Sequence, residues 1–217
     1  MNIIELSDIT FAYEVGEKPV FSNLSLQVKE GKCLIVEGDN GSGKSTLFRI
    51  LNGLSFPQSG SYSYKGQTIS EKYLKDNKKA KAFHREIGYL FQNPDIMLFN
   101  ARVYDEVAFG PRQMGLSDEK VAHRVEDCLK LFSLEDLKDK APYHLSGGQK
   151  KRVALAAVLA LNPEILILDE PCAGLDKKNK EWLISFLSQL KAAGKTLIIA
   201  THDSEVKEAL GDETLSL

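Results

Sequence analysis

The chain reads Gly38-Asp39-Asn40-Gly41-Ser42-Gly43-Lys44-Ser45, directly after the apolar run Cys33-Leu34-Ile35-Val36 and directly before a helical pattern at 47–54. The segment has the form G-x-x-x-x-G-K-[ST], whose glycines let backbone amides approach phosphate oxygens while the next helix points its positive end at them. Lys44 is placed to reach the β and γ phosphates, and Ser45 to ligate Mg²⁺. A chance glycine-rich turn would lack both flanks, so the motif predicts a nucleoside triphosphate site.

Two adjacent carboxylates close a later apolar run. Ile165-Leu166-Ile167-Leu168 is followed at once by Asp169 and Glu170. Ligand groups of open α/β sheets gather at the carboxyl ends of the strands, so both side chains are expected beside the phosphate loop. Asp169 is then placed to hold Mg²⁺, and Glu170 to polarise an attacking water as general base. The pair predicts phosphoryl transfer to water.

Hydrophobic periodicity predicts two kinds of β structure. Residues 4–9 and 24–28 alternate between apolar and polar side chains, as half-buried strands do, so an antiparallel β layer is expected to open the chain. The continuously apolar runs at 33–36, 165–168 and 197–200 suit strands that are covered on both faces of a parallel sheet.

Two stretches carry helical spacing. Residues 179–193 have apolar side chains at helical spacing and lie between the apolar runs 165–168 and 197–200. The three segments are therefore predicted to form a βαβ unit with a right-handed crossover. Between the β regions, 103–161 has a different composition and is predicted to be helical, with Ser117 as a cap. One apolar stripe there consists of Val121, Val125, Cys128, Leu129 and Phe132.

Composition limits the classes of protein that the chain can represent. Its 217 residues with 43% hydrophobic content suffice for a globular core, and 28 basic against 30 acidic side chains give a net charge of -2, so no nucleic-acid partner is expected. The apolar runs fall far short of the ~20 residues that span a bilayer. The start lacks a secretory pattern, and three widely spaced cysteines are expected to be reduced thiols, so we expect a cytoplasmic location.

The pentapeptide Leu145-Ser146-Gly147-Gly148-Gln149 narrows the class of nucleotide-binding protein, because it lies 24 residues before Asp169. With this order and spacing the chain resembles the ABC ATPase family over nearly its whole length. The resemblance implies an α/β fold of the P-loop NTPase (RecA-like) type: a parallel-sheet core, an N-terminal antiparallel β layer and a helical subdomain inserted at approximately 96–160, in one domain of residues 1–217.

The resemblance also implies how the pentapeptide, called the signature below, is used. In the family it contacts the γ-phosphate of ATP bound to a second subunit, so that two ATP molecules are enclosed in a head-to-tail dimer. The amides of Ser146, Gly147 and Gly148 at a helix start would form this second anion site. The expected partner is a second ABC ATPase subunit, identical or paralogous, and the expected cofactors are ATP and Mg²⁺.

Further positions match the family one by one. Tyr13 resembles the aromatic that stacks on adenine, Gln92 the glutamine that senses Mg²⁺ and water, and His202 the histidine that contacts the γ-phosphate. For Tyr13 a half-buried strand aromatic is the alternative, with Phe11 as competitor for the adenine. The loop that connects the paired sites is Ala173, Gly174, Leu175 and Asp176. The nucleotide-binding residues are Tyr13, Gly38, Asp39, Asn40, Gly41, Ser42, Gly43, Lys44, Ser45 and Thr46; the metal-binding residues are Ser45, Gln92 and Asp169; and the catalytic residues are Glu170, His202 and Gln92.

A smaller group of residues resembles the ATPases of energy-coupling-factor importers, which take up vitamins and transition-metal ions. These residues are Gln92-Asn93-Pro94-Asp95, Leu98-Phe99, Val107-Ala108-Phe109-Gly110-Pro111 and Gly115-Leu116. The resemblance implies a transmembrane coupling protein, a substrate-binding membrane subunit and a peripheral place on the cytoplasmic face of the cell membrane.

The chain departs from this pattern at two places. Ile96 and Met97 stand where relatives commonly carry an acidic residue and glutamine, and the sequence ends at Leu217 without the C-terminal extension of many members, which bears on dimer stability without ATP. Residues 96–99 form an apolar cluster that indicates an interface, with burial in the core as the alternative.

Other functions remain open at this level. One is a soluble ABC ATPase acting on the ribosome or DNA, and another is the ATPase of a different ABC transporter class. Ribosome-acting members usually carry two cassettes, whereas the stretch between Lys44 and Leu145 is too short for the long coiled coil of chromosome and repair ATPases. A non-hydrolysing binding module is disfavoured by Glu170, His202 and Gln92.

Overall fold

A computed structural model describes residues 1–14 and 16–217 and contains two β-sheets with helices packed around one of them. The strands are β1 Asn2–Phe11, β2 Phe21–Lys29, β3 Cys33–Glu37, β4 Ser59–Tyr64, β5 Gln67–Thr68, β6 Ile87–Leu90, β7 Ile165–Asp169, β8 Thr196–Ala200 and β9 Glu213–Ser216. The helices are α1 Lys44–Leu51, α2 Glu71–Leu74, α3 Asn77–Glu86, α4 Val103–Gln113, α5 Asp118–Leu131, α6 Gly147–Leu159, α7 Lys177–Ala192 and α8 Ser204–Leu210. None of the helices in these residues is long and apolar enough to span a membrane.

The larger sheet is parallel and has the strand order β6-β7-β8-β3-β9. Strands β7 and β8 are buried along their whole length. Alternate side chains of β7 pack into two different hydrophobic cores. Leu166 and Leu168 pack with the helices α4 to α7. Ile165 and Ile167 pack with α1 and the antiparallel sheet. This explains why these strands are continuously apolar, and it confirms the expected parallel core.

The smaller sheet is antiparallel, with the order β2-β1-β4-β5, and confirms the β layer expected at the start of the chain. Ile4, Leu6 and Ile9 face the core and are almost fully buried. The register shifts between Leu6 and Ile9, where Asp8 has a φ of 51° and adds an extra residue to the strand. This bulge explains why the alternation is not strict.

Helices α4, α5 and α6 lie between β6 and β7 in the chain, where the sequence predicted helical structure. On α5 the predicted stripe is buried, and Phe132 just beyond its end contacts Trp182 and Phe186 of α7. Ser117 stands at the expected cap position, but its hydroxyl accepts no capping bond in the described structure. Helix α7 begins two residues before the predicted 179, because Asp176 accepts a bond from the amide of Asn179 and caps it.

Candidate active site

The glycine-rich loop runs from the end of β3 into α1 and forms one wall of a cavity of about 520 Å³. Gly43 precedes the helix with a φ of 107°, and a Cβ there would lie 2.8 Å from the ring of Phe21, so only glycine fits. The amino end of α1 faces the cavity, as anion binding requires. The lining residues are Tyr13, Val20, Asn40, Gly41, Gly43, Lys44, Ser45, Thr46, Gln92, Asp169, Glu170, Ala173 and His202.

Three of the predicted nucleotide-binding residues belong to the loop but do not line the cavity. They are Gly38, Asp39 and Ser42, and the amide of Ser42 donates to the Asp39 carbonyl at 3.1 Å. Gly38 has a φ of 149°, and a Cβ there would meet the Ser42 hydroxyl.

Lys44 folds back over its own loop. Its ammonium donates to the carbonyl oxygens of Gly38 and, at 3.0 Å, of Asp39. Phosphate oxygens carry more negative charge than these carbonyl oxygens and form stronger hydrogen bonds with an ammonium. The phosphates of a nucleotide can therefore replace the two carbonyls as acceptors for Lys44. The arrangement therefore holds a cation ready beside the cavity.

Ser45 and Asp169 come together at the carboxyl end of β7. The Ser45 hydroxyl donates to an Asp169 carboxylate oxygen at 3.1 Å, although 124 residues separate the two in sequence. Burial raises the pKa of the Asp169 carboxyl, while the Ser45 bond and the charge of Lys44 lower it in part. Among the described residues, no cationic side chain contacts this pair directly. A hydroxyl and a buried carboxylate are hard oxygen ligands of the kind Mg²⁺ prefers, so the pair fits the ion.

Glu170 adopts a left-handed backbone with a φ of 45°, and its amide donates to the Ala200 carbonyl at 3.0 Å. Its side chain lines the cavity, and its Oε1 is buried without a hydrogen-bond partner in the described structure. His202 Nε2 lies 3.6 Å from that oxygen, beyond hydrogen-bond range. The Glu170 carboxylate therefore lies at the wall of a cavity large enough for a nucleotide, where a general base would be placed.

Tyr13 lies at the open side of the cavity and is 58% exposed. Its hydroxyl is 2.8 Å from Thr46 Oγ1, and the ring contacts Phe11 edge-on. Phe11 itself is buried in the core, so it is not available to stack on a base. Val20 also lines the cavity; the sequence analysis missed it because an apolar residue before a strand carries no distinguishing signal.

The signature lies at the start of α6 and outside this cavity, which none of its residues lines in the described structure. Ser146 caps the helix, and its hydroxyl and the Gln149 side chain form a reciprocal capping box. Gly147 faces open space, since a Cβ there would meet no heavy atom within 4 Å. The exposed helix start can therefore be reached from outside the chain.

The predicted inter-site loop lies between the cavity and the start of α7. Ala173 lines the cavity, whereas Asp176 caps α7 and accepts a bond from the Asn179 amide group at 2.9 Å. Arg152 of α6 donates to Asn179 Oδ1 at 2.6 Å and lies over the Trp182 ring. These contacts fix the loop between the signature helix and α7.

Comparison with known proteins agrees with this geometry. Residues 21–173 match the family model described as ABC transporter. The chain is 49% identical to the nickel import ATP-binding protein LarO of Lactiplantibacillus plantarum, over 94% of this chain and 85% of that protein. It is 43% identical to the energy-coupling factor transporter ATP-binding protein EcfA of Methanococcus maripaludis, over 95% of this chain and 72% of that protein.

A solved structure gives the same result for the fold. The ATP-binding cassette MJ0796, in a dimeric post-hydrolysis state with ADP and Pi, superposes with a TM-score of 0.88 at 31% identity, covering 99% of this chain and 94% of that one. The nucleotide cavity, the separate signature and these similarities lead to one conclusion: the chain belongs to the ABC transporter family, as an ATP-binding subunit that hydrolyses ATP.

Proposed function

We propose that this chain drives a membrane importer of the energy-coupling-factor type, with transition-metal ions or vitamins as cargo. Its similarity to a nickel import ATPase and to an energy-coupling-factor ATPase supports this type. The protein would act at the cytoplasmic face of the cell membrane, as one ABC ATPase domain of residues 1–217 with a helical subdomain at approximately 96–160. Its membrane partners would be a coupling protein and a substrate-binding subunit.

The observation that carries the mechanism is the separation of the cavity from the signature. One chain offers a phosphate loop with Lys44 and Glu170 on one side and an exposed anion-binding helix start at Ser146 on the other. Two chains arranged head to tail would complete two sites, each enclosing one ATP. The dimeric MJ0796 cassette supports this arrangement.

Within each site, different residues bind the nucleotide, hold the metal ion and carry out the proton transfer. Lys44 and the loop amides bind the phosphates, Tyr13 stacks on the adenine, and Ser45, Asp169 and Gln92 would hold Mg²⁺. Bound Mg²⁺ supplies neutralisation of charge on the β and γ phosphate oxygens. Glu170 accepts a proton from the attacking water, and His202 donates to the γ-phosphate.

An apolar surface beside the signature suits the membrane partner. Ile96 and Phe99 are exposed, Phe99 contacts Phe109 edge-on, and Tyr143 lies nearby. A groove of about 440 Å³ is lined by Asp95, Leu98, Phe99, Asn100, Ala101, Pro142 and Tyr143. Of the predicted cluster, Met97 and Leu98 pack against the core, whereas Ile96 and Phe99 are exposed, so the interface prediction now concerns those two residues alone. We propose this surface as the docking site of the coupling protein.

The experiment that tests the importer is purification of the tagged chain from detergent-solubilised native membranes, followed by identification of its partners. Small integral membrane proteins are expected, and a second ATPase among them would show a heterodimer. Phe99→Ser should lose these partners, whereas Leu131→Ser, a matched exposed apolar residue on α5, should retain them. Ribosomal or DNA-bound partners would overturn the importer proposal and favour a soluble ABC ATPase.

The hydrolytic role of Glu170 has its own test. Glu170→Gln keeps the shape of the side chain but removes the base, so the rate should fall about 10²- to 10⁴-fold while ATP still binds. The protein should then accumulate as a closed dimer with ATP, measured by light scattering after size exclusion. A monomer under these conditions, or an unchanged rate, would contradict the mechanism.

A further inference from the structure

Lys151 is a buried lysine on the signature helix α6, two residues after Gln149 and 4% exposed. A buried cation costs several kcal/mol unless its donors are satisfied. No carboxylate in the described parts of the chain pairs with it; its ammonium donates to two backbone carbonyls instead. Burial accordingly lowers the pKa of Lys151. The positions of the two carbonyl groups account for the burial of this lysine.

The two carbonyls belong to the turn that carries the proposed base. Lys151 Nζ lies 2.9 Å from the Ala173 oxygen and 3.4 Å from the Glu170 oxygen. The Ala173 amide donates to the same Glu170 carbonyl at 3.1 Å, which closes a tight turn. Glu170 itself is held in a left-handed conformation that a non-glycine residue adopts only at a cost. The ammonium therefore stabilises an otherwise strained turn.

The two ends of this contact lie at the two surfaces that are proposed to bind nucleotide. Glu170 and Ala173 line the cavity of their own chain, whereas Ser146 to Gln149 begin the helix on which Lys151 stands. Lys151 lies little more than one helical turn after Ser146, on the same continuous helix. A shift of the signature would therefore be expected to move Lys151 and, through its two hydrogen bonds, the turn.

We propose that Lys151 is a positioning residue that links the signature of a chain to the Glu170 turn of the same chain. Occupation of one composite site would then set the carboxylate geometry in the other. This inference rests on the proposed roles of Glu170 and of the signature. It predicts that Lys151 affects the rate of the chemical step and leaves nucleotide affinity nearly unchanged.

The test compares Lys151→Met with Lys191→Met. Lys191 on α7 is the control, because it also donates to a backbone carbonyl, that of Leu210 at 2.7 Å, and is not among the described residues that line the cavity. It additionally forms an ion pair with Asp212 at 2.8 Å, so its substitution is expected to affect stability. For Lys151→Met we expect kcat to fall about 10- to 100-fold with KM for ATP unchanged within about threefold, because a slightly misplaced base costs rate and not binding. Lys191→Met should lower the melting temperature alone.

Lys151→Gln is neutral and one bond shorter than lysine, but it keeps an N–H donor directed along the same path and should recover part of the kcat lost in Lys151→Met. If Lys151→Met does not fold, Lys151→Gln alone tests the inference. A kcat lower than that of the unchanged protein, at unchanged KM, supports the inference, and an unchanged kcat overturns it. A kcat of Lys151→Met within about twofold of the unchanged protein overturns it too, as does an equal loss in Lys191→Met.

Glu170→Gln, measured in parallel, separates the two proposals. If that variant hydrolyses ATP at the normal rate, the role of Glu170 is wrong and the inference falls with it. If Glu170→Gln is inactive while Lys151→Met is normal, only the role of Lys151 is refuted.

Discussion

Tyr13→Ala isolates the contribution of base stacking to nucleotide affinity. The ring is exposed at the open side of the cavity, and its hydroxyl is 2.8 Å from Thr46 Oγ1. Stacking of a base on an aromatic ring is worth about 1–3 kcal/mol, so loss of the ring should weaken ATP binding by about 5- to 150-fold. Tyr13→Phe loses only the bond to Thr46 and should bind ATP within about threefold of the unchanged chain.

Calorimetric titration with ATP and with tripolyphosphate measures the effect. Tripolyphosphate has the phosphates but no base, so Tyr13→Ala should bind it as tightly as the unchanged protein does. Two results would refute the reasoning: ATP affinity that does not change, or equal losses for both ligands. The second would mean that Tyr13 supports the phosphate loop through Thr46 and does not hold the base.

Three other predictions concern separate parts of the molecule. Lys44→Ala removes the cation beside the phosphates and should weaken ATP binding by about 10- to 100-fold in the same titration; unaltered affinity would exclude its role. Cys172 is buried, and burial raises the pKa of its thiol to about 11, so the neutral Cys172→Ser should retain phosphate release within about twofold; loss of hydrolysis would contradict this. Arg102, with Arg112, holds the pKa of Asp105 below its ordinary value. The bonds of Asp105 should therefore stabilise the fold at neutral pH, and urea unfolding should show a gap between Asp105→Asn and the unchanged chain that closes as the pH falls below about 4; a gap independent of pH would refute it.

Local pattern was sufficient for much of the fold. The strands β3, β7 and β8 were predicted because each is a short run of apolar residues, which a strand covered on both faces requires. A helix start at Ser146 to Gly148 was expected from the signature, and the structure begins α6 at Gly147, where Ser146 and Gln149 form a capping box. Helix ends were less certain: α7 begins at Lys177 and not at 179, because the cap of Asp176 outweighs the apolar spacing.

The tertiary structure was needed to decide which of two similar nearby side chains is buried and which is exposed. Phe11 ends β1 and is buried, whereas Tyr13 lies two residues beyond the strand and is exposed. Likewise Ile96 and Met97 are neighbours in one apolar cluster, but Ile96 projects into solvent and Met97 packs on the core. Periodicity describes one element, whereas burial depends on what other elements cover it.

The sequence by itself determined the phosphate loop, the carboxylates Asp169 and Glu170 at the end of β7, and the family, because each rests on contiguous motifs whose chemistry depends on neighbouring residues. Only the tertiary structure decided that the Ser45 hydroxyl reaches Asp169, that Lys151 holds the Glu170 turn, and that the signature lies outside its own cavity. These contacts join residues far apart in the chain, and they follow from the strand order β6-β7-β8-β3-β9. Local hydrophobic spacing specifies that strands form, but the order in which they pair is fixed by the packing of both faces of the sheet.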